Sequence, residues 1–208
     1  MPDPKRRPDQ RLSRREQYAA ATRQAIVESA RMLFAKRGYF ATTVNDIAEE
    51  AQVAPATVYA VTGGKQALLT ELSRMWISEP GIEATQKFFR ESDNPRAILL
   101  YLAHATRVRR EQFGDVMRIL IATAPHDQEV AELLRPATEL YRGATVMVAE
   151  RIADLGGLRE GLDVPLAADI LWFYFGYAAF FTLHEDNGWS YERAEHWLAE
   201  RACRELLG

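Results

Sequence analysis

The sequence predicts an all-α protein, with an N-terminal three-helix helix-turn-helix domain followed by a larger helical bundle. Three observations carry that reading. Apolar residues recur at helical spacing along most of the chain. Pro, Gly and Asp-Asn clusters interrupt them at intervals of about one helix. No segment alternates apolar and polar residues between hairpin turns. With 208 residues, 48% of them apolar and 26% charged, the chain has the composition of an ordinary globular protein with a real core.

Residues 1–15 hold three prolines and six Lys or Arg with almost nothing apolar, which predicts a flexible basic arm. From 16 to 37 the stripe Ile26, Ala30, Leu33 and Phe34 predicts a helix, and Lys36-Arg37-Gly38 predicts its end. Thr43 is an N-cap with Asp46 at the third helical position. The short helix it starts, 44–51, is expected to bury Val44, Ile47, Ala48 and Ala51. After a turn at Gln52-Val53-Ala54, Pro55 fits the first position of a second short helix, with Val58 facing inward. Two short helices joined by a tight turn behind a long one make a helix-turn-helix, here spanning 16–70.

The bundle, 71–208, reads as helices over 65–79, 82–91, 95–112, 115–135 with a break at Pro125, 137–155, 165–186 and 190–207. Pro80-Gly81, Asp93-Asn94-Pro95, Pro136, Gly156-Gly157, Pro165 and Gly188 separate them. The longest apolar run, Ile170 to Leu183, is short for a bilayer and reads as a buried helix, so no membrane partner is expected. The single cysteine, Cys203, fits a reducing cytoplasm, and the polar basic N-terminus lacks the apolar region of a secretory signal.

The net charge of −3 conceals an asymmetry. Residues 1–70 carry 11 Lys/Arg against 7 Asp/Glu, or +4, and the rest carry 15 against 22, or −7. A basic front on an acidic body suggests a polyanionic partner. Yet Thr42 to Lys65 contains no cation before its last residue and includes Asp46, Glu49 and Glu50. Phosphates are also held by hydroxyls, backbone N–H groups and helix N-termini. Thr42, Thr43, Thr57, Tyr59 and Lys65 are placed for such contacts, and an arm including Arg14 and Arg15 can reach a minor groove. The three acids are expected to face away from the duplex.

Residues 22–72, "TRQAIVESARMLFAKRGYFATTVNDIAEEAQVAPATVYAVTGGKQALLTEL", resemble the N-terminal domain of tetracycline-repressor-like (TetR family) regulators. The marks are "LFAKRGY", "TTVNDIAEEAQV", "TVY" and "GGKQALL", in that order and spacing. The resemblance implies a homodimeric regulator, usually a repressor, that binds a palindromic double-stranded operator and is released by a small effector. By motif position it assigns phosphate contact to Thr43, Tyr59 and Lys65, and base reading to Ala56, Thr57 and their neighbour Pro55. Three departures stand out. Gln52 occupies a turn position where the family usually has Gly. Ala54 replaces a Ser or Thr cap. Val61-Thr62 stand where aromatic or His residues are usual. "PATVYAV" offers few hydrogen-bonding tips, so base reading is expected to rest on thymine methyls, Thr57, DNA shape and the arm.

A dimer has to set the spacing of the two recognition helices. "ILWFYFGYAAFFTL" is apolar all round, so Phe173, Gly176, Tyr177 and Phe180, with Trp197 of the last helix, are the expected interface. Phe88, Tyr101, His104, Arg107, Met117, Tyr141, Met147 and Trp172 are the expected lining of a pocket for an apolar or aromatic effector. His104 and Arg107 would orient any anionic or hydrogen-bonding group. No metal or cofactor is expected, because the four histidines lack ligand spacing, and no catalytic or nucleotide-binding motif is present. The competing expectation is an all-α small-molecule-binding protein or enzyme that keeps the architecture without specific DNA binding.

Overall fold

A computed structural model describes residues 13–77 and 81–208, so most of the expected arm lies outside the described residues. The described chain is helical, and its one β feature is an isolated antiparallel bridge between Leu158 and Leu207. It divides into two compact units, one ending at Leu72 and the other running Ser73–Gly208.

In the first unit, α1 (Arg14–Arg37) starts two residues earlier than its apolar stripe suggests. The reason is a local cap. Ser13 Oγ accepts from Glu16 N, and Glu16 returns a bond from Ser13 N (2.7 Å). Arg14 and Arg15 are therefore exposed residues of the first helical turn rather than parts of the arm. α2 (Val44–Glu50) begins with the same device, built by Thr43 and Asp46. α3 (Pro55–Thr62) has proline in its first turn and ends on Gly63 at φ +86°. α4 begins at Lys65 and runs to Ile77. Ile26, Ala30 and Phe34 of α1 are buried, as are Ile47 of α2, Val58 of α3 and Leu68 of α4. Val44 and Ala51, expected inside, are only half-buried.

The second unit contains α5 (Gly81–Glu91), α6 (Pro95–Thr123), α7 (Gln128–Asp154), α8 (Val164–Phe175), α9 (Ala178–Phe181) and α10 (Tyr191–Leu206). Asn94, Asp127, Asp163 and Ser190 cap α6, α7, α8 and α10 through their side chains. Three expected boundaries moved. α6 continues through Gly114, and a single 3₁₀ turn at Ala124–His126 absorbs Pro125 before α7. α7 continues through Pro136, which forfeits one backbone bond within an otherwise intact 27-residue helix. Conversely, the expected helix 165–186 stops at Gly176.

A Cβ at Gly176 would collide with the carbonyl oxygen of Trp172, so no other residue fits this backbone. The chain re-forms α9 and a π-type turn, in which Asn187 N donates to Thr182 O (3.1 Å). By length and composition alone, Val164–Asp186 could cross a membrane. Here it contributes Ala167, Leu171, Phe175 and Phe180 to a core shared with Ile98 and Leu102 of α6, Ile152 of α7 and Leu198 of α10. Cys203 is buried in that core, and burial pushes its thiol pKa up.

Candidate nucleic-acid interface and interior cavity

The helix-turn-helix turn uses an uncommon conformation. Gln52 sits at φ +55°, the one non-glycine positive φ among the described residues. That conformation costs an L-residue about 1–2 kcal/mol. Its neighbour Ala54 has the extended backbone of an N-cap but supplies no side-chain bond. The sequence departures at both positions thus coincide with physical departures in the turn.

α3 presents Pro55, Ala56, Tyr59 and Ala60 to solvent, with Thr57 half-buried and Val58 inside. Tyr59 is 58% exposed. A clamp at the far end of α3 was not anticipated from sequence. Arg23 of α1 donates to both oxygens of Glu71 on α4 (3.1 and 2.6 Å) and to the Val61 carbonyl (2.6 Å). The planar fork matches a carboxylate while its third bond satisfies a helix-end acceptor.

Thr42 requires a correction. It is 1% exposed, and its hydroxyl donates to the Gly38 carbonyl (2.9 Å), so it braces the α1–α2 turn and cannot present its side chain to a phosphate. Thr43 is exposed, but its hydroxyl bonds Asp46 (2.6 Å). The Thr43 hydroxyl and backbone N–H together hold the Asp46 carboxyl below its ordinary pKa. Asp46 is therefore committed to capping, with Arg37 3.5 Å away. Lys65 donates to the carbonyls of Tyr39 (2.9 Å) and Thr42 (3.1 Å) and lies over the Tyr39 ring. Its ammonium ties α4 to the α1–α2 turn.

The second unit holds a half-open cavity of about 270 Å³. Of the sequence-selected residues, Tyr101, His104 and Tyr141 line it, and Phe88, Arg107, Met117, Met147 and Trp172 do not. Phe88 stacks on Tyr101 at 4.1 Å, and Trp172 meets Tyr141 edge-on. Met117 and Met147 pack inside the bundle, Met117 fully buried and Met147 against the core. Arg107 is consumed by Glu111 (2.8 Å) and Glu195, which hold its guanidinium above even its ordinary pKa, with the Glu111 bond the larger cause.

The cavity residue that sequence reading missed is Arg110. It is 1% exposed. One N–H donates to the Gly176 carbonyl (2.7 Å) and one to the Met117 sulfur (3.2 Å), while Nε has no acceptor. The rings of Phe181, Tyr141 and Tyr177 stand 5.3, 5.6 and 6.0 Å from its carbon centre. Such contacts are worth about 0.5–2 kcal/mol each at best. A signal for it existed. Ile98, Leu102, Thr106, Arg110 and Met117 fall on one buried stripe of α6, so the arginine stands at a core position.

The expected dimer residues also separate. Phe180 is fully buried, Gly176 makes the chain break, and Tyr177 turns inward, its hydroxyl 3.0 Å from that of Thr138. Burial pushes the Tyr177 phenol pKa up. Only Phe173, 74% exposed, and Trp197, 37% exposed, present large apolar surface. Phe173 and Leu166 lie seven residues apart, on one face of α8.

This geometry defines a class: a helix-turn-helix unit joined to a helical bundle with an interior cavity. Residues 26–72 match the model of bacterial regulatory proteins of the tetR family. The chain is 28% identical over 172 residues to the uncharacterised HTH-type transcriptional regulator YdeS of Bacillus subtilis, covering 80% of this chain and 82% of that protein. Its fold is similar to that of a transcriptional regulator from Saccharomonospora viridis in complex with choline (TM-score 0.73, 19% identity, 91% of this chain and 99% of that one). It is also similar to FadR from Bacillus subtilis in complex with stearoyl-CoA (TM-score 0.69, 17% identity, 88% and 98%). The helix-turn-helix unit thus matches the tetR-family model, and the curated relatives that the chain resembles are named as HTH-type transcriptional regulators.

Proposed function

We propose that the protein is a cytoplasmic homodimeric repressor that grips a palindromic operator through α3 and releases it when a small molecule fills the cavity of the second unit. The observation that carries the DNA half is the exposed face of α3, with the capped start of α2 at Thr43 and the start of α4 at Lys65 in the same unit. Tyr59, the Thr43 region and the N-terminus of α4 at Lys65 contact phosphates, while Ala56 and Thr57, with Pro55 beside them, face base edges. Arg14 and Arg15 extend the positive charge of the arm along the duplex. Phe173 and Trp197, with Leu166, form the dimer surface, a smaller set than the apolar run suggests.

The cavity supports the ligand half, and structural neighbours crystallised with small molecules make that use of the fold reasonable. Release requires the ligand to favour a dimer geometry in which the two α3 helices no longer match successive major grooves. The test is fluorescence anisotropy with DNA from upstream of the protein's own coding region, across a salt series and against random competitor. Competitor-resistant binding with a negative log–log salt slope, about 0.9 per phosphate neutralised, is the expected result. No specific binding at any salt would refute the regulator half.

A further inference from the structure

Arg110 is a buried cation with no carboxylate partner among the described residues. Isolated buried charges are costly, and proteins pair or neutralise them. Of the five N–H groups of a guanidinium, two find acceptors here, one of them only a sulfur. The cavity that Arg110 lines also holds Arg109, and its described lining residues include no Asp or Glu. Arg109 donates to the Trp76 carbonyl (2.7 Å). Glu111 and Glu195 pair with Arg107, and Glu185 pairs with Arg118. Thr106, one helical turn before Arg110 on α6, also lines the cavity, and its hydroxyl lies 3.2 Å from that of Tyr141. The Tyr141 hydroxyl donates to the Phe175 carbonyl (2.6 Å).

We infer that the cavity is built for a monocarboxylate with an apolar or aromatic body, its carboxylate held by Arg110 and its body lying against residues such as Phe89, Leu102, Ala105 and Leu140. Arg110 supplies the charge-assisted bonds, and Thr106 is within one turn to complete them. A neutral ligand would leave the Arg110 guanidinium without a carboxylate, and a cationic ligand would meet a buried charge of its own sign. The geometry also links the ligand to the chain break, because the same guanidinium holds the Gly176 carbonyl between α8 and α9. The inference rests on the ligand half of the proposed function and adds the ligand's chemical class.

The test is calorimetric titration of the full chain with 4-phenylbutyrate and octanoate, their primary amides, and 4-phenylbutylamine. The acids should bind about 10- to 150-fold more tightly than the amides, the range for hydrogen bonds to a charged group, and the amine should not bind. Arg110→Met should erase the preference while leaving any amide binding in place. Arg110→Met should also melt higher than the wild type without ligand, since an unpaired buried charge is replaced by an apolar side chain of similar reach. Arg110→Lys, which keeps the charge, should retain part of the preference.

Equal binding of acids and amides, an acid preference that survives Arg110→Met, or no binding of either acid at millimolar concentration would each overturn the inference. The same samples read DNA binding separately. Acid binding that leaves DNA affinity unchanged would refute ligand release while sparing the carboxylate site. Release by amides and acids alike would do the reverse.

Discussion

Ala54 offers a sharp test of the local physics. Its backbone (φ −71°, ψ 146°) nearly matches those of Ser13 (−60°, 156°) and Ser190 (−66°, 156°), both of which cap helices with their hydroxyls. α3 therefore already has the cap conformation and lacks only the oxygen. A threonine there would place its hydroxyl within reach of the Ala56 or Thr57 N–H. Ala54 is exposed, so the added atoms enter solvent rather than the core. A side-chain N-cap is worth about 1 kcal/mol, within a range of roughly 0.5–2. Valine has the shape of threonine without the oxygen, so the comparison of Ala54→Thr with Ala54→Val isolates the hydrogen bond. For a chain of this size, about 1 kcal/mol moves the melting temperature by roughly 2–4 °C. Thermal melts followed by far-UV circular dichroism should place Ala54→Thr above Ala54→Val by that amount. All four tryptophans lie in the second unit, so their fluorescence reports that unit's transition separately. Equal melting of the two variants would refute the reading of Ala54 as an unfilled cap.

Other expectations follow from the same contacts. Lys65→Met removes the donor shared by the Tyr39 and Thr42 carbonyls, and should cost about 1–3 kcal/mol in urea unfolding as well as DNA affinity. Tyr59→Phe should lower affinity for all DNA sequences with little effect on folding, whereas Thr57→Ala should change the order of preference in an operator selection. Asp46 has a depressed folded-state pKa, so its contribution is present above the unfolded carboxylate value near 4 and is lost as pH falls through the folded value. Acid titration of Asp46→Asn should accordingly show a shallower loss of stability below about pH 4 than the wild type. Phe173→Glu should shift sedimentation toward monomer and weaken palindrome binding more than half-site binding, and an unchanged sedimentation profile would remove α8 from the interface.

Much of the first unit was legible because its signals are local. Thr43 and Asp46 reach each other across three residues, Pro55 needs only its own ring, and Gly38 and Gly63 answer for their own φ. Helix ends in the second unit were read less well. Pro136 and Gly114 look like breaks in sequence, but packing keeps α7 and α6 continuous through them. The cavity was half-legible. Aromatic residues at helical spacing pointed to Tyr101 and Tyr141, but the same pattern describes core residues such as Met117.

By itself the sequence determined the all-α class, the helix-turn-helix and the missing cap at Ala54. Each depends on a residue's own backbone preference or on neighbours within one helical turn. Only the tertiary structure decided which arginine pairs with a carboxylate and which does not. Arg107 and Arg110 are three residues apart and indistinguishable in composition, yet the first meets Glu195 across 88 positions and the second meets a carbonyl across 66. The same long-range packing buried Phe180 in the core. Charge pairing and burial belong to the folded neighbourhood, and a linear pattern carries only one side of each contact.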